Sequence, residues 1–416
     1  MMREVANGKR ETRTTTASAS RYFTTAVLVF VALGGAADAN AQRPQPRLGD
    51  AGLQGRPMWT QQRARAWQQS AGWLVGSNFA PSTAINQLEM WQAATWDPRT
   101  IDRELGWAES LGFNTMRVFL HNLLWQQDSA GFLRRMDQFL AISQRHHIKP
   151  MFVLFDAVWD PNPHLGRQRN PIPHLHNSGW VQSPGAAILE DSSQWDALRA
   201  YVQGVVGRFA NDQRVVAWDI FNEPDNTNRP AYIAYEPINK PALTLSLMRK
   251  AFGWARQMNP SQPLTAAPWL GDYVDPARMR PATRFMLDNS DVISFHSYDD
   301  SATVEKLITA LERYGRPIIC TEYMARPRNS TFKAILPIFA RRHVGAINWG
   351  FVSGKTQTIY PWDSWNNEYT AEPRVWFHDI FRANGQPYDP AEVQFIRGVM
   401  ANRRPGALNV PAGVTR

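Results

Sequence analysis

Short apolar runs alternate with amphipathic segments along most of this 416-residue chain. Residues 215–221 and 318–321 are largely apolar rather than alternating, as is typical of parallel strands that are buried on both faces. Eight runs are predicted to be strands: 73–79, 114–120, 149–155, 215–221, 264–267, 292–295, 318–321 and 346–349. Eight strand–helix units in one chain indicate an α/β fold of the closed (β/α)8 TIM barrel type rather than an open doubly wound sheet.

One predicted helix shows the sequence signals that mark where a helix begins and where it ends. Asp97 is suited to cap its N-terminus, Pro98 to occupy its first position, and Gly112 to end it. The apolar residues between them recur at helical spacing: Ile101, Leu105, Ala108 and Leu111. Similar patterns predict helices over 132–147 and 195–209.

Two connections, over about 156–192 and 351–373, are too long for simple turns. They follow the third and eighth strands, so in a barrel they would lie on the catalytic face and could form the walls of a cleft. Both are rich in aromatic residues, which include Trp159, Trp180, Tyr360, Trp362 and Trp365.

The pattern predicts four segments. Residues 1–41 have a basic start, an apolar stretch over 26–37 and small residues at Ala39 and Ala41, which together predict a cleavable signal peptide and a periplasmic or secreted protein. The apolar stretch is shorter than the about 20 residues of a membrane-spanning helix, so we expect no stable membrane insertion after cleavage, with an uncleaved anchor as the alternative. Residues 42–65 are predicted to be a linker or N-terminal arm, 66–400 a single barrel domain and 401–416 a C-terminal tail.

Composition narrows the possible partners. The net charge of +9 is carried by scattered Lys and Arg residues without a nucleic-acid-binding motif, so no nucleic-acid partner is expected. The 17 tryptophans suit flat apolar platforms for sugar rings. The single cysteine, Cys320, excludes an internal disulfide. Nothing in the sequence indicates an oligomeric state.

Two glutamates come at the ends of predicted strands. Glu223 follows the run 215–221, and Glu322 follows the run 318–321. Catalytic groups of βα barrels collect at the carboxyl ends of the strands, where two carboxyl groups could face each other across a glycosidic bond. Retaining hydrolysis needs them about 5–5.5 Å apart, with one protonated and the other ionised.

Other strand-end residues could support this pair. Arg117 and Tyr298 could hold Glu322 ionised as the nucleophile, while burial and His296 could maintain and orient Glu223 as the acid/base. Asn222 offers an amide to the sugar 2-hydroxyl, and Trp349 offers a floor for the ring. His164, His174 and His176 invite a metal interpretation, but no carboxylate or cysteine lies near them at diagnostic spacing, and no metal or organic cofactor is expected.

With these residues, the chain resembles members of glycoside hydrolase clan A, most closely those of glycoside hydrolase family 5, the family of cellulases and mannanases. The resemblance covers most of residues 70–385 and rests on Asn-Glu-Pro at 222–224, His-x-Tyr at 296–298, Thr-Glu at 321–322, Arg117 and Trp349. It implies a (β/α)8 barrel with Glu223 as acid/base and Glu322 as nucleophile. One position departs from the family pattern, because Asp156 stands where a histidine commonly ends the third strand. Asp156 could reach a sugar hydroxyl instead, or His121 could fill the space.

The sequence therefore predicts an exported, cofactor-free, retaining β-glycoside hydrolase that acts by double displacement on a β-linked glycan or its oligosaccharides. Two alternatives remain open: a catalytically silent carbohydrate-binding barrel, and a surface or assembly protein in which the barrel is only a scaffold.

Overall fold

A computed structural model of the protein describes residues 55–228 and 231–402. The predicted signal peptide, most of the predicted arm and nearly all of the predicted C-terminal tail lie outside these residues. Within them, eight strands form one parallel sheet: β1 (Val75–Asn78), β2 (Thr115–Phe119), β3 (Lys149–Asp156), β4 (Ala217–Asn222), β5 (Leu264–Ala267), β6 (Ile293–His296), β7 (Ile318–Glu322) and β8 (Gly345–Asn348). All eight predicted strands are confirmed.

The strands are hydrogen-bonded in the order β5-β4-β3-β2-β1-β8-β7-β6. The two outer strands, β5 and β6, also lie side by side, so that the sheet curls into a nearly closed barrel. Since every pairing is parallel, the carboxyl ends of all the strands meet at one face. The prediction of a (β/α)8 barrel is confirmed.

Helices connect the strands and surround the sheet: α1 (Gln61–Ala71), α2 (Gln87–Trp91), α3 (Pro98–Leu111), α4 (Asn122–Arg145), α5 (Ala186–Glu190), α6 (Trp195–Arg208), α7 (Lys240–Gln257), α8 (Pro281–Asn289), α9 (Ser301–Glu312), α10 (Phe332–Arg342) and α11 (Pro390–Ala401). In none of the described segments is a helix both long enough and apolar enough to cross a bilayer.

The predicted ends of α3 are confirmed. The Asp97 side chain accepts a hydrogen bond from the Thr100 N–H, and Gly112 ends the helix in the left-handed conformation, with φ 81°. Helix α4 begins at Asn122, earlier than the predicted start at residue 132. His121 caps it, and the backbone leaves helical geometry at Asp128, which the apolar periodicity of the later part did not indicate.

The segment 55–65, predicted to be the end of a loose arm, packs against the barrel instead. Trp59 and Ala64 are buried in an apolar cluster with inward-facing strand residues such as Met151 and Ile319. Arg56 forms a buried ion pair with Asp291, with 2.6 Å between Nη2 and Oδ2. The folded domain therefore begins before residue 66. The prediction was wrong because a polar, proline-rich composition does not show whether a chain end packs against the barrel.

Candidate active site

The two glutamates meet at the carboxyl face of the barrel. Glu322 is the last residue of β7, and Glu223 follows β4 directly. One carboxylate oxygen of each, together with a ring nitrogen of His296, lies within 4.8 Å of the other two. Glu223 adopts a left-handed backbone conformation, with φ 48°, which is uncommon for a residue other than glycine and is concentrated at functional sites.

Glu322 is surrounded by groups that favour its ionised form. Arg117 Nη1 donates to Oε1 at 2.9 Å, and the Tyr298 hydroxyl donates to Oε2 at 2.7 Å. His296 Nδ1 lies 3.5 Å from the same Oε2. Cationic and hydrogen-bonding neighbours stabilise a carboxylate relative to its acid, so this position suits an anion.

Arg117 is held by more partners than the sequence predicted. Its guanidinium also donates to Asp219 Oδ2 at 2.8 and 3.0 Å, to Asn222 Oδ1 at 2.6 Å and to Asn78 Oδ1 at 2.9 Å. Sequence reasoning missed Asp219 and Asn78. An aspartate within an apolar strand was the available signal for Asp219, since buried charges are almost always paired.

Glu223 has a different environment. Its Oε1 lies 2.6 Å from His296 Nδ1, and its Oε2 accepts a hydrogen bond from Asn226 Nδ2 at 2.8 Å. Asn226, three residues further along the chain, was also missed, because its contact depends on how the chain turns after Pro224. Among these neighbours no cation bonds directly to Glu223, in contrast to Glu322.

Burial raises the pKa of both carboxyl groups, to about 8 for Glu223 and about 7 for Glu322. For Glu223 the charge of Asp156 raises the pKa further, whereas Arg117 and the Tyr298 hydroxyl oppose the increase at Glu322. Because the two groups interact, they titrate as a pair that holds one proton near neutral pH. The cation and the hydroxyl that donate to Glu322 favour Glu223 as the protonated member of the pair.

Asp156 lines the site, but protein donors already occupy its oxygens. Asn222 Nδ2 donates to Oδ1 at 2.9 Å, and Trp180 Nε1 donates to Oδ2 at 2.7 Å. The Val158 N–H and Gln87 Nε2 supply a second, longer bond to each oxygen. Four donors fill the acceptor capacity of a carboxylate, so Asp156 positions Asn222 and Trp180.

The structure places His121 outside the cavity that contains the glutamates. Its Nδ1 accepts a hydrogen bond from the Leu123 N–H, and its Nε2 lies 2.8 Å from the carbonyl oxygen of Gln182. Burial lowers its pKa to about 3, so the ring is neutral. His121 therefore caps α4 and is not among the residues that line the cavity.

Aromatic residues line the cavity around the pair, which has a volume of about 240 Å³. Trp349 directly follows β8 and lines this cavity, as do Asn222 and Tyr298. The other tryptophans in the lining come mainly from the two long loops: Trp159, Trp180, Trp269, Trp362 and Trp365. Trp269 alone was not singled out from the sequence, although its position two residues after β5 was an available signal.

Glu223, His296 and Glu322 form the one group among the described residues with ligand atoms close enough for a metal ion. Two of the three loop histidines use one ring nitrogen in a hydrogen bond to the backbone. His174 Nδ1 lies 2.7 Å from the Tyr369 carbonyl oxygen, and His176 Nδ1 lies 2.7 Å from the Tyr360 carbonyl oxygen. The absence of a metal or organic cofactor stays a prediction.

Residues 108–355 match the model of the family described as Cellulase (glycosyl hydrolase family 5). No curated protein matches the chain.

Several solved structures share the fold at low sequence identity. Exo-β-1,4-mannosidase Op5Man5 from Opitutaceae bacterium strain TAV5 is 19% identical with a TM-score of 0.53, over 80% of this chain and 60% of that one. A GH5_18 variant from Streptomyces cattleya in complex with Manβ1-4GlcNAc is 12% identical with a TM-score of 0.53, over 83% of each chain. The endo-β-1,4-mannanase from Thermotoga petrophila is 13% identical with a TM-score of 0.52, over 81% and 78%. The chain thus spans less than two thirds of the length of the exo-β-1,4-mannosidase.

Proposed function

The chain belongs to glycosyl hydrolase family 5 and is a glycosidase, and from this premise we propose that it cleaves β-linked glycans or their oligosaccharides with retention of configuration. In this proposal Glu322 is the nucleophile and Glu223 is the acid/base. The observation that carries the proposal is the spacing of the pair, whose carboxylate oxygens approach within 4.8 Å. Retaining enzymes hold their carboxyl groups about 5–5.5 Å apart, whereas inverting enzymes need about 6.5–9.5 Å to admit a water molecule.

The first step forms a glycosyl-enzyme intermediate. Glu322 Oε attacks the anomeric carbon while Glu223 transfers its proton to the glycosidic oxygen, and the bond to the leaving group breaks. The proton on Glu223 is available because burial raises its pKa to about 8. Arg117 and Tyr298 hold Glu322 ionised and aim it at the sugar.

The second step releases the sugar. Glu223, now ionised, removes a proton from a water molecule, and the resulting hydroxide attacks the anomeric carbon and displaces Glu322. His296 bridges the two carboxyl groups, 2.6 Å from Glu223 and 3.5 Å from Glu322. Burial lowers its pKa to about 4, so it remains neutral and orients Glu223 without taking its proton.

The proposal is tested by incubating the protein with β-glucan, β-mannan, β-xylan, β-galactan and aryl β-glycosides and measuring released sugar. Mannans are tested first, since two of the structurally similar proteins are named as a mannosidase and a mannanase. We expect Glu322→Gln to lose nearly all turnover, because the substitution removes the proposed nucleophile. Glu223→Ala should keep activity on aryl glycosides with good leaving groups, and added azide should yield the β-glycosyl azide.

Substantial activity of Glu322→Gln would refute the proposed mechanism. Oligosaccharide binding in calorimetry without any product would instead favour the alternative of a catalytically silent carbohydrate-binding barrel.

We also propose that the protein is exported to the periplasm or the medium. The basic and apolar pattern of residues 1–41 supports this, and N-terminal sequencing of the protein recovered from the producing cells would test it. A mature N-terminus at Gln42 is expected, whereas an intact N-terminus in the membrane fraction would indicate an anchor.

A further inference from the structure

The loops after β3 and β8 are bound to each other across one side of the catalytic cavity. We call the contact between residues 172–177 and 356–369 the loop seam. The Asn177 N–H donates to the Thr356 carbonyl oxygen at 2.9 Å, and Trp365 Nε1 donates to the His176 carbonyl oxygen at 2.9 Å. Further hydrogen bonds join the same two loops: His174 N to Gln357 Oε1, His176 N to Ser364 Oγ, and Gln357 Nε2 to the Ile172 carbonyl oxygen. A glycan chain cannot pass between loops that are joined in this way.

The short 3-10 helix Trp362–Trp365 extends this closure over the cavity. At one end, the Trp365 ring stacks on Trp159, with 5.6 Å between centroids and 17° between planes. At the other end, the Trp362 ring meets Tyr298 edge-on at 5.0 Å. The cavity that contains the glutamates therefore has an aromatic wall on this side.

The backbone of the loop seam indicates a fixed structure. His174, Asn177 and Gln357 have positive φ angles of 65°, 48° and 54°, and Trp159 beside them has 70°. Such conformations persist only where surrounding contacts determine them. We therefore expect this wall of the pocket to keep one arrangement.

Asn177 contributes an unpaired amide to this wall. The residue is 1% exposed and lines the same cavity as the glutamates. Both its Nδ2 and its Oδ1 are buried without a hydrogen-bond partner in the protein. A buried amide without partners costs stability, so a donor and an acceptor left free at the wall of a pocket indicate a ligand with complementary hydroxyl groups.

The neighbouring His176 adds an acceptor. Its Nδ1 lies 2.7 Å from the Tyr360 carbonyl oxygen, and a carbonyl can only accept, so Nδ1 carries the proton. Burial lowers the pKa of His176 to about 4, so that Nε2 is left unprotonated. An amide and an imidazole nitrogen together can bind vicinal sugar hydroxyls.

We propose that the protein is an exo-acting glycosidase that removes single sugars from the non-reducing end, with Asn177 binding the hydroxyls at C3 and C4 of the terminal sugar. This inference rests on the proposed function. In this proposal the sugar ring packs on Trp349 with its anomeric carbon facing Glu322. The opposite edge of the ring is then directed toward the loop seam and toward Trp180, whose ring packs against Trp349 with 5.8 Å between centroids. In this orientation the loop seam stands where a further sugar at C4 would have to extend.

Defined substrates test the direction and mode of cleavage. Mannopentaose, cellopentaose and xylopentaose, all β-1,4-linked and labelled at the reducing end, are digested alongside aryl β-monosides and β-biosides. We expect the monosaccharide and a labelled tetraose as first products, and nitrophenol released from a bioside only after a lag. Early labelled products of mixed length, or release of an intact disaccharide, would overturn the exo inference while leaving the proposed function intact. A lack of hydrolysis of every substrate would reject the proposed function itself.

Variants test the role of Asn177. We expect Asn177→Ala to lower kcat/KM on an aryl β-monoside on the order of tenfold to a hundredfold. The decisive measurement compares this substrate with its 4-deoxy analogue, which the wild type should reject and the variant should cleave almost equally well. Asn211→Ala, an exposed asparagine outside the cavity lining, is the matched control. If Asn177→Ala kept the wild-type preference, Asn177 would have no contact with the sugar.

Discussion

The hydroxyl of Tyr298 should set the acidic limb of the pH–rate profile. It donates to Glu322 Oε2 at 2.7 Å in a fully buried setting, and the nucleophile is active only when ionised. Tyr298→Phe removes this donor while keeping the ring. The pKa of Glu322 should therefore rise, and activity at acidic pH should be lost at a higher pH than in the wild type.

The magnitude follows from the contact. A hydrogen bond to a charged group contributes about 1.5–3 kcal/mol, and one pKa unit corresponds to about 1.36 kcal/mol, so the expected shift is about 1–2 units. We expect the lower end of this range, because Arg117 still binds Oε1 and His296 Nδ1 lies 3.5 Å from Oε2. Because the acidic limb moves towards the basic limb, the shift also narrows the profile and lowers its maximum.

The assay is kcat/KM for an aryl β-glycoside across the pH range, which reports the ionisation of the free enzyme. Tyr388→Phe is the control, since its hydroxyl donates to the Arg374 carbonyl oxygen at 3.2 Å and the residue lies outside the cavity lining. A uniform fall in kcat/KM at every pH, with the acidic limb unmoved, would show that Tyr298 does not control the ionisation of Glu322.

Three further perturbations test the supporting structure. Asp156→Asn should lower kcat/KM with little change in the melting temperature, because Asn222 loses a charged acceptor at 2.9 Å; unchanged kinetics would contradict this role. Arg56→Ala should cost about 3–5 kcal/mol in urea unfolding, since the buried Asp291 loses the cation bonded to it and keeps two backbone N–H donors, and a loss below 1 kcal/mol would mean that this ion pair contributes little to stability. Burial raises the pKa of Glu104 to about 7, above its unfolded value of 4.5, so its contribution to stability is complete below pH 4.5 and is lost as the pH rises through about 7. Glu104→Gln should therefore flatten the fall in melting temperature over this pH window. An equally steep fall in the variant would refute the assignment.

The sequence alone determined the barrel and the positions of the two glutamates. Buried parallel strands produce continuous apolar runs, and helix ends such as Asp97 and Gly112 have local signals, so both are visible in short stretches of chain. Parallel pairing then brings every strand end to one face, which is why Arg117, Asn222, His296 and Tyr298 could be grouped with the glutamates before any contact was known.

Only the tertiary structure decided what surrounds that pair. Asn226 reaches Glu223 through a turn, and Asp219 reaches Arg117 from another strand, a contact that no local pattern encodes. The loop seam joins residues that are far apart in the chain, such as Asn177 and Thr356, and only their packing leaves the Asn177 amide unpaired in the pocket. Periodicity reports which face of an element is buried, whereas the partners of a buried polar group depend on where distant segments meet.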